Sequence, residues 1–125
     1  MSAMEVGRKL VALCQEGKNL EALDTLYDKD AESIEAMGMP EVPAEMKGLD
    51  ALRKKNEWWF ANNEVHSGSA RGPFPNGDRF AVIFNYDVTP KSGPMAGKRM
   101  QVEEVGLYTV KGGRIVREEF FYAMG

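Results

Sequence analysis

The sequence predicts an α+β fold: a cone-shaped, curved antiparallel sheet wrapped around three helices from the N-terminal half, with an internal pocket at the open end. Three observations carry this. Before residue 62, apolar residues recur at spacings of three and four, the period of a helix with one buried face. From Arg79 to Val88 they alternate, the period of a half-buried strand. The closing stretch holds two runs rich in Val, Ile, Tyr and Phe about Lys111-Gly112-Gly113, a tight-turn signal.

In the first helix, over 3–16, Val6, Leu10, Leu13 and Cys14 share a face, and Gly17 is a natural stop. Asn19 is placed to cap a second helix with Leu20, Leu23, Leu26 and Tyr27 along its apolar side. Asp28–Asp30 interrupt that pattern, and Ala31–Met37 read as a short strand with Glu35 facing away from Ile34 and Ala36. Residues 38–46 carry two prolines and a glycine and are expected to form a loop, either a lid over a pocket or a plain connection. The third helix, 48–62, has Leu49, Leu52, Asn56 and Trp59 in one stripe; Trp58 and Phe60 widen it, and one or two of these aromatics are expected to meet a pocket rim or a partner subunit, the alternative being a partly exposed aromatic on a monomer.

Val65–Arg71 is expected to be a strand carrying the only histidine, His66. Residues 72–77 read as a turn by composition, and 89–97 as a loop. Between them, Phe80, Val82, Phe84 and Tyr86 line one face of a strand, and Ala81, Ile83, Asn85 and Asp87 the other.

Composition narrows the function classes. A length of 125 residues fits one domain, 1–125. A net charge of −3 gives no reason to expect a nucleic-acid or anionic-membrane partner. The Arg53-Lys54-Lys55 cluster reads as a solvated helix face. Cys14 is the sole cysteine, so an internal disulfide is impossible, and its helix position makes it a small core residue. No apolar stretch approaches the length of a membrane span and no leader pattern is present, so a cytoplasmic protein is expected. One histidine and one cysteine, without paired-ligand spacing, predict no metal site. No serine elbow or phosphate loop is present, and no cofactor is expected.

The order of several short features resembles the nuclear transport factor 2-like superfamily. These are the helix–Gly17–helix opening that ends at Tyr27, Asp30-Ala31 entering a strand, Lys47-Gly48 before the third helix, and Gly113-Arg114-Ile115-Val116 in the last hairpin. The resemblance covers nearly the whole chain and is strongest to the SnoaL-like branch, which includes polyketide cyclases. It implies a cone-shaped α+β barrel, an internal pocket and a homodimer packed through the outer sheet face. Measured against ketosteroid isomerase of the same superfamily, the tyrosine donor falls at Leu10, the second donor near Gly106 and the general base at Glu35. Leucine and glycine side chains supply no proton, so that oxyanion hole is absent.

With a three-residue turn in the last hairpin, Val110 would face Arg114 and Gly106 would face Glu118. Val102, Glu104, Gly106, Tyr108 and Val110 then share a face with Val116, Glu118, Phe120 and Tyr122, and the resemblance places that face in the pocket. Two carboxylates close together in an apolar setting raise the pKa of one of them, as acid–base work requires. Structural carboxylates, bridged to arginines or bonded to loop amides, are the other reading, and a two-residue turn would shift the register. The opposite face, with Glu103, Val105, Leu107, Ile115, Arg117, Glu119 and Phe121, suits a dimer interface or a solvated sheet.

The acid–base candidates are therefore Glu35, His66, Glu104 and Glu118. Trp59, Gly106, Tyr108, Phe120 and Tyr122 are the expected pocket lining for a small apolar molecule. Three functions fit: a cofactor-independent isomerase, cyclase or dehydratase; a non-catalytic binding protein; or a dimeric interaction module whose pocket is filled by Trp58, Trp59 and Phe84.

Overall fold

The computed structural model describes residues 1–38 and 42–123. Helix α1 (Ala3–Gln15) starts at a capping box, in which Ser2 Oγ accepts from the Glu5 amide and the Glu5 carboxylate accepts from the Ser2 amide. Helix α2 (Asn19–Leu26) follows Gly17, whose φ of 73° suits the left-handed helix end. Asn19 is its first residue; Lys18 precedes it without a side-chain cap. Helix α3 spans Leu49–Asn62.

Six strands form one mixed sheet in the order β2-β1-β6-β5-β4-β3. They are β1 (Tyr27–Ile34), β2 (Glu45–Lys47), β3 (Asn63–Asn76), β4 (Arg79–Pro90), β5 (Met100–Lys111) and β6 (Arg114–Phe121). The pairings are antiparallel except for β1 with β6, which run parallel. The chain enters β1 directly from α2, and β1 then takes the free edge of the closing hairpin, which accounts for the one departure from the expected antiparallel sheet. The inner face packs on all three helices. Val6, Leu10, Leu23, Leu26, Leu52, Phe80, Val82 and Ile115 lie in that core, each at most 2% exposed.

Several element boundaries differ from expectation. Strand β1 begins at Tyr27 and ends at Ile34, because Asp28–Asp30 sit where the strand is half exposed and tolerates charge. Residues 45 and 46, expected in the loop, and Lys47 after them pair with Ile34–Glu32. The expected 38–46 loop otherwise lies partly outside the described residues, as 39–41 are not described. Residues 72–76, read as a turn, belong to β3; a register shift between Arg71 and Phe74 absorbs Gly72 and Pro73 into the strand pair.

The closing hairpin corrects the expected register. Lys111 faces Arg114, so the turn is the two-residue Gly112-Gly113, with φ of 59° and 77°. Two successive positive φ values are what a type I′ turn needs, and glycine takes them without strain. Val110 therefore faces Ile115, not Arg114, and Ile115 is buried in the core rather than on the outer face. One residue on, Val116 forms a bulge and resets the pairing to Thr109–Arg117, Tyr108–Glu118 and Gly106–Phe120. The bulge compensates the shorter turn. Glu104, Gly106 and Tyr108 still share a face with Glu118 and Phe120, but Glu118 faces Tyr108 instead of Gly106.

Candidate functional site

A cavity of about 670 Å³ lies between the helices and the inner sheet face. That volume matches an organic molecule of metabolite size. Its walls are mostly apolar. Leu10, Cys14 and Leu23 come from α1 and α2, Trp58, Trp59 and Phe60 from α3, and Phe84, Tyr86, Tyr108 and Phe120 from the sheet. Three successive aromatics on one helix cannot point the same way, yet all three border this cavity, since it runs past the end of α3 toward the loop at 92–95. Trp59 stacks edge-on against Phe60 and tilts against Tyr86, each at 5.1 Å between ring centres. The side chains Trp58, Trp59 and Phe84 line the space without filling it.

The polar floor is a buried network centred on Lys55. Its Nζ donates to Ser33 Oγ at 2.6 Å and Glu118 Oε1 at 3.1 Å, and pairs with Glu35 Oε1 at 3.3 Å. It also stands 4.6 Å above the centre of the Phe120 ring. Glu118 Oε2 accepts from the Tyr27 hydroxyl, and Tyr122 donates to Glu35 Oε2 at 3.3 Å. Burial pushes the Lys55 pKa down, but the Glu118 and Glu35 carboxylates outweigh it and the net direction is up; Lys55 stays charged. Burial first, and the Glu118 charge second, push the Tyr27 phenol well up. Lys55 belongs to a basic run expected to form a solvated face, and it departs from that expectation at 9% exposed. Three basic residues in a row occupy three directions on a helix, and only the one aligned with Leu52 and Trp59 turns inward.

Glu104 is different. It makes no hydrogen bond or ion pair with any described residue, and it faces the cavity from β5 opposite Phe84. Burial, then the Glu35 carboxylate, push its pKa up from the ordinary 4.5 to about 7; Lys55 opposes this and Glu118 adds to it. The expected carboxylate pair thus divides in role. Glu118 is bridged, to a lysine and a tyrosine rather than to arginines or amides, and Glu104 is left with a proton near neutral pH. Tyr86, on the neighbouring strand, likewise has a hydroxyl with no hydrogen-bond partner among the described residues. Burial and the Glu104 charge hold its phenol protonated.

The remaining expected site residues fall as follows. Trp59, Tyr108, Phe120, Tyr122 and Glu35 line the cavity. Gly106 does not: a Cβ there would lie 2.8 Å from Tyr108 Cε2 and 3.1 Å from Phe120 Cε1, so the missing side chain makes room for two rings rather than for a ligand. His66 lies away from the cavity, at a bulge on β3, where its Nε2 and Thr89 Oγ1 are 2.8 Å apart. Sequence reasoning missed Lys55, Tyr27, Ser33 and Tyr86. The position of Tyr86 in the alternating inner face of β4 was the one available signal. Cys14 borders the cavity as a thiol whose pKa burial pushes up to about 12. Among the described residues no group of three or more His, Cys, Asp or Glu side chains forms a metal site, and no helix is long and apolar enough to cross a membrane.

Comparison with known proteins agrees with this architecture. A crystallised protein from Mesorhizobium loti, proposed to be a SnoaL-like polyketide cyclase and also described as a carbohydrate phosphatase, is 44% identical, with a TM-score of 0.89 over 98% of this chain and 100% of that one. A protein from Burkholderia thailandensis described as NTF2-like superposes with a TM-score of 0.80 at 15% identity, covering 98% of this chain and 92% of its own. A cystatin-like-fold protein of unknown function from Xanthomonas campestris gives 0.78 at 15% identity, over 99% and 92%. The latter two likenesses concern the fold. No curated protein matches significantly. The SnoaL-like domain model matches residues 1–122, and with the 44% relative this places the chain in the SnoaL-like domain family.

Proposed function

We propose that this protein binds a small, largely apolar organic molecule in the aromatic cavity and acts on it by cofactor-independent acid–base chemistry of the isomerase, cyclase or dehydratase type. One observation carries the reading: Glu104 is an unpaired carboxyl in an apolar cavity with a pKa of about 7. Such a group gives and takes a proton with similar ease at neutral pH, which is the condition for efficient proton transfer. Tyr86 is the second group able to act, as a hydrogen-bond donor to negative charge that develops on the substrate. Glu118, Lys55, Glu35, Tyr27 and Ser33 serve as a rigid floor, since their hydrogen bonds are already spent on one another. Of the two descriptions given to the 44% identical relative, polyketide cyclase and carbohydrate phosphatase, the first is a reaction of this general kind. The reading includes a homodimer formed through the outer sheet face, where Phe74, Ile83, Val105, Leu107 and Phe121 make an apolar patch beside Arg117, which bridges Glu32 and Glu119 within the chain.

The test is incubation of wild-type protein and Glu104→Gln with a broad metabolite mixture, followed by mass spectrometry of bound and free fractions. A compound consumed by wild type and merely bound by the variant is the expected result. A compound retained unchanged by both, with no product, favours the non-catalytic binding protein instead.

A further inference from the structure

We infer that the molecule held in this cavity carries a basic nitrogen: a hydrophobic amine or ammonium whose cationic head pairs with Glu104 while its apolar body lies among the aromatic rings. The inference rests on the cavity reading above and adds the ligand's charge.

Three carboxyl groups border the cavity, Glu35, Glu104 and Glu118, against one cation, Lys55, and no arginine or histidine is among its described lining residues. Lys55 has three N–H donors and three acceptors within reach, in Ser33, Glu35 and Glu118. It has no donor left for an anionic or carbonyl ligand unless an ion pair breaks. A second negative charge would therefore meet a negative floor, whereas a positive one completes it.

The surface around Glu104 is aromatic. Phe84 lies directly opposite it on β4, and Tyr86, Trp59 and Phe120 stand close by in a chain of ring contacts of 5.1–6.5 Å. Ring faces attract cations, and the Lys55 ammonium 4.6 Å above Phe120 shows that this wall already holds one. A carboxyl without a partner, set among aromatic faces, is the arrangement that recognises an alkylammonium group.

Proton linkage follows. The titratable groups that line the cavity with Glu104 are Glu35 beyond β1, Lys55 on α3, Tyr27 on β1, Tyr86 on β4, Tyr108 on β5, Glu118 on β6, Tyr122 beyond β6 and Cys14 on α1. The tyrosines and Cys14 have raised pKa values and stay protonated, and Lys55 stays charged. Glu104 changes state near pH 7, and a cation binds best once its proton has left. Affinity for a permanent cation rises with pH through about 7 and levels off above it.

The experiment compares benzyltrimethylammonium with its neutral carbon isostere, 2,2-dimethyl-1-phenylpropane, at matched sub-millimolar concentrations by tryptophan fluorescence and NMR shift perturbation. The expected result is at least tenfold tighter binding of the ammonium at pH 8, falling about tenfold by pH 6. Glu104→Gln, checked for folding by circular dichroism, should lose both the preference and the pH dependence. Equal or tighter binding of the neutral isostere overturns the inference and leaves the cavity reading standing. Retention of the cation preference by Glu104→Gln overturns it as well. Binding of neither probe overturns the inference together with the cavity reading.

Discussion

Glu104→Gln offers a stability measurement with a definite sign. Glutamine has the shape of the protonated carboxyl but never ionises. In wild type the folded pKa of about 7 exceeds the ordinary 4.5, so the folded state holds this proton more tightly than the unfolded one. Stability from that source is complete below about pH 4.5, declines as pH rises from about 4.5 to 7 and is gone above that window. At about 1.4 kcal/mol per pH unit, the gap corresponds to about 3 kcal/mol. Wild type and variant should therefore be similar in stability at pH 4, and by pH 8 the variant should be the more stable by about 3 kcal/mol. For a chain of this size that is roughly 10 °C in Tm. Urea unfolding of both proteins across pH 4–8 measures it, and the difference between the two curves removes titrations they share. A difference that stays flat over the range would refute the placement of Glu104 as a half-buried carboxyl without a partner among the described residues.

Lys55→Met should destabilise the fold by about 3–5 kcal/mol in urea unfolding, because it leaves Glu118 and Glu35 buried without a counter-charge; adding Glu118→Gln should recover part of that loss. Gly106→Ala should cost about 1–3 kcal/mol, since its methyl would press on Tyr108 and Phe120, and a thermal melt reads this directly. His66→Ala should change stability by under about 1 kcal/mol and leave probe binding unaltered, as measured by the fluorescence titration. Leu107→Arg on the outer sheet face should convert a dimer to a monomer in sedimentation equilibrium, with the cavity still able to bind probe.

Much of the fold was legible because periodicity reports burial. The stripes of α1 and α3 and the alternation of β4 each put an apolar face on the same core, and the side chains Leu10, Leu52, Phe80 and Val82 are where those periods place them. Boundaries were less legible where composition and pairing compete. Residues 72–76 carry turn-forming glycine and prolines, yet the long β4 beside them supplies partners and draws them into β3. The closing hairpin shows a subtler case. Turn length decides register, and the expected turn was one residue too long, but the bulge at Val116 returned every later residue to its anticipated face. Glu104 and Glu118 thus share the inner face for a reason that local pattern did not contain.

By itself the sequence determined the class of fold and the presence of carboxyl groups among aromatic side chains, since each depends on local period and residue type. Tertiary structure alone decided how those carboxyls differ. Lys55 comes from a helix 63 residues before Glu118, and only packing shows that it pairs with Glu118 and Glu35 and stops short of Glu104. A pKa is set by burial and by charges within a few ångströms, whatever their separation along the chain. The partnerless proton of Glu104, on which the functional reading turns, is therefore a property of the assembled cavity.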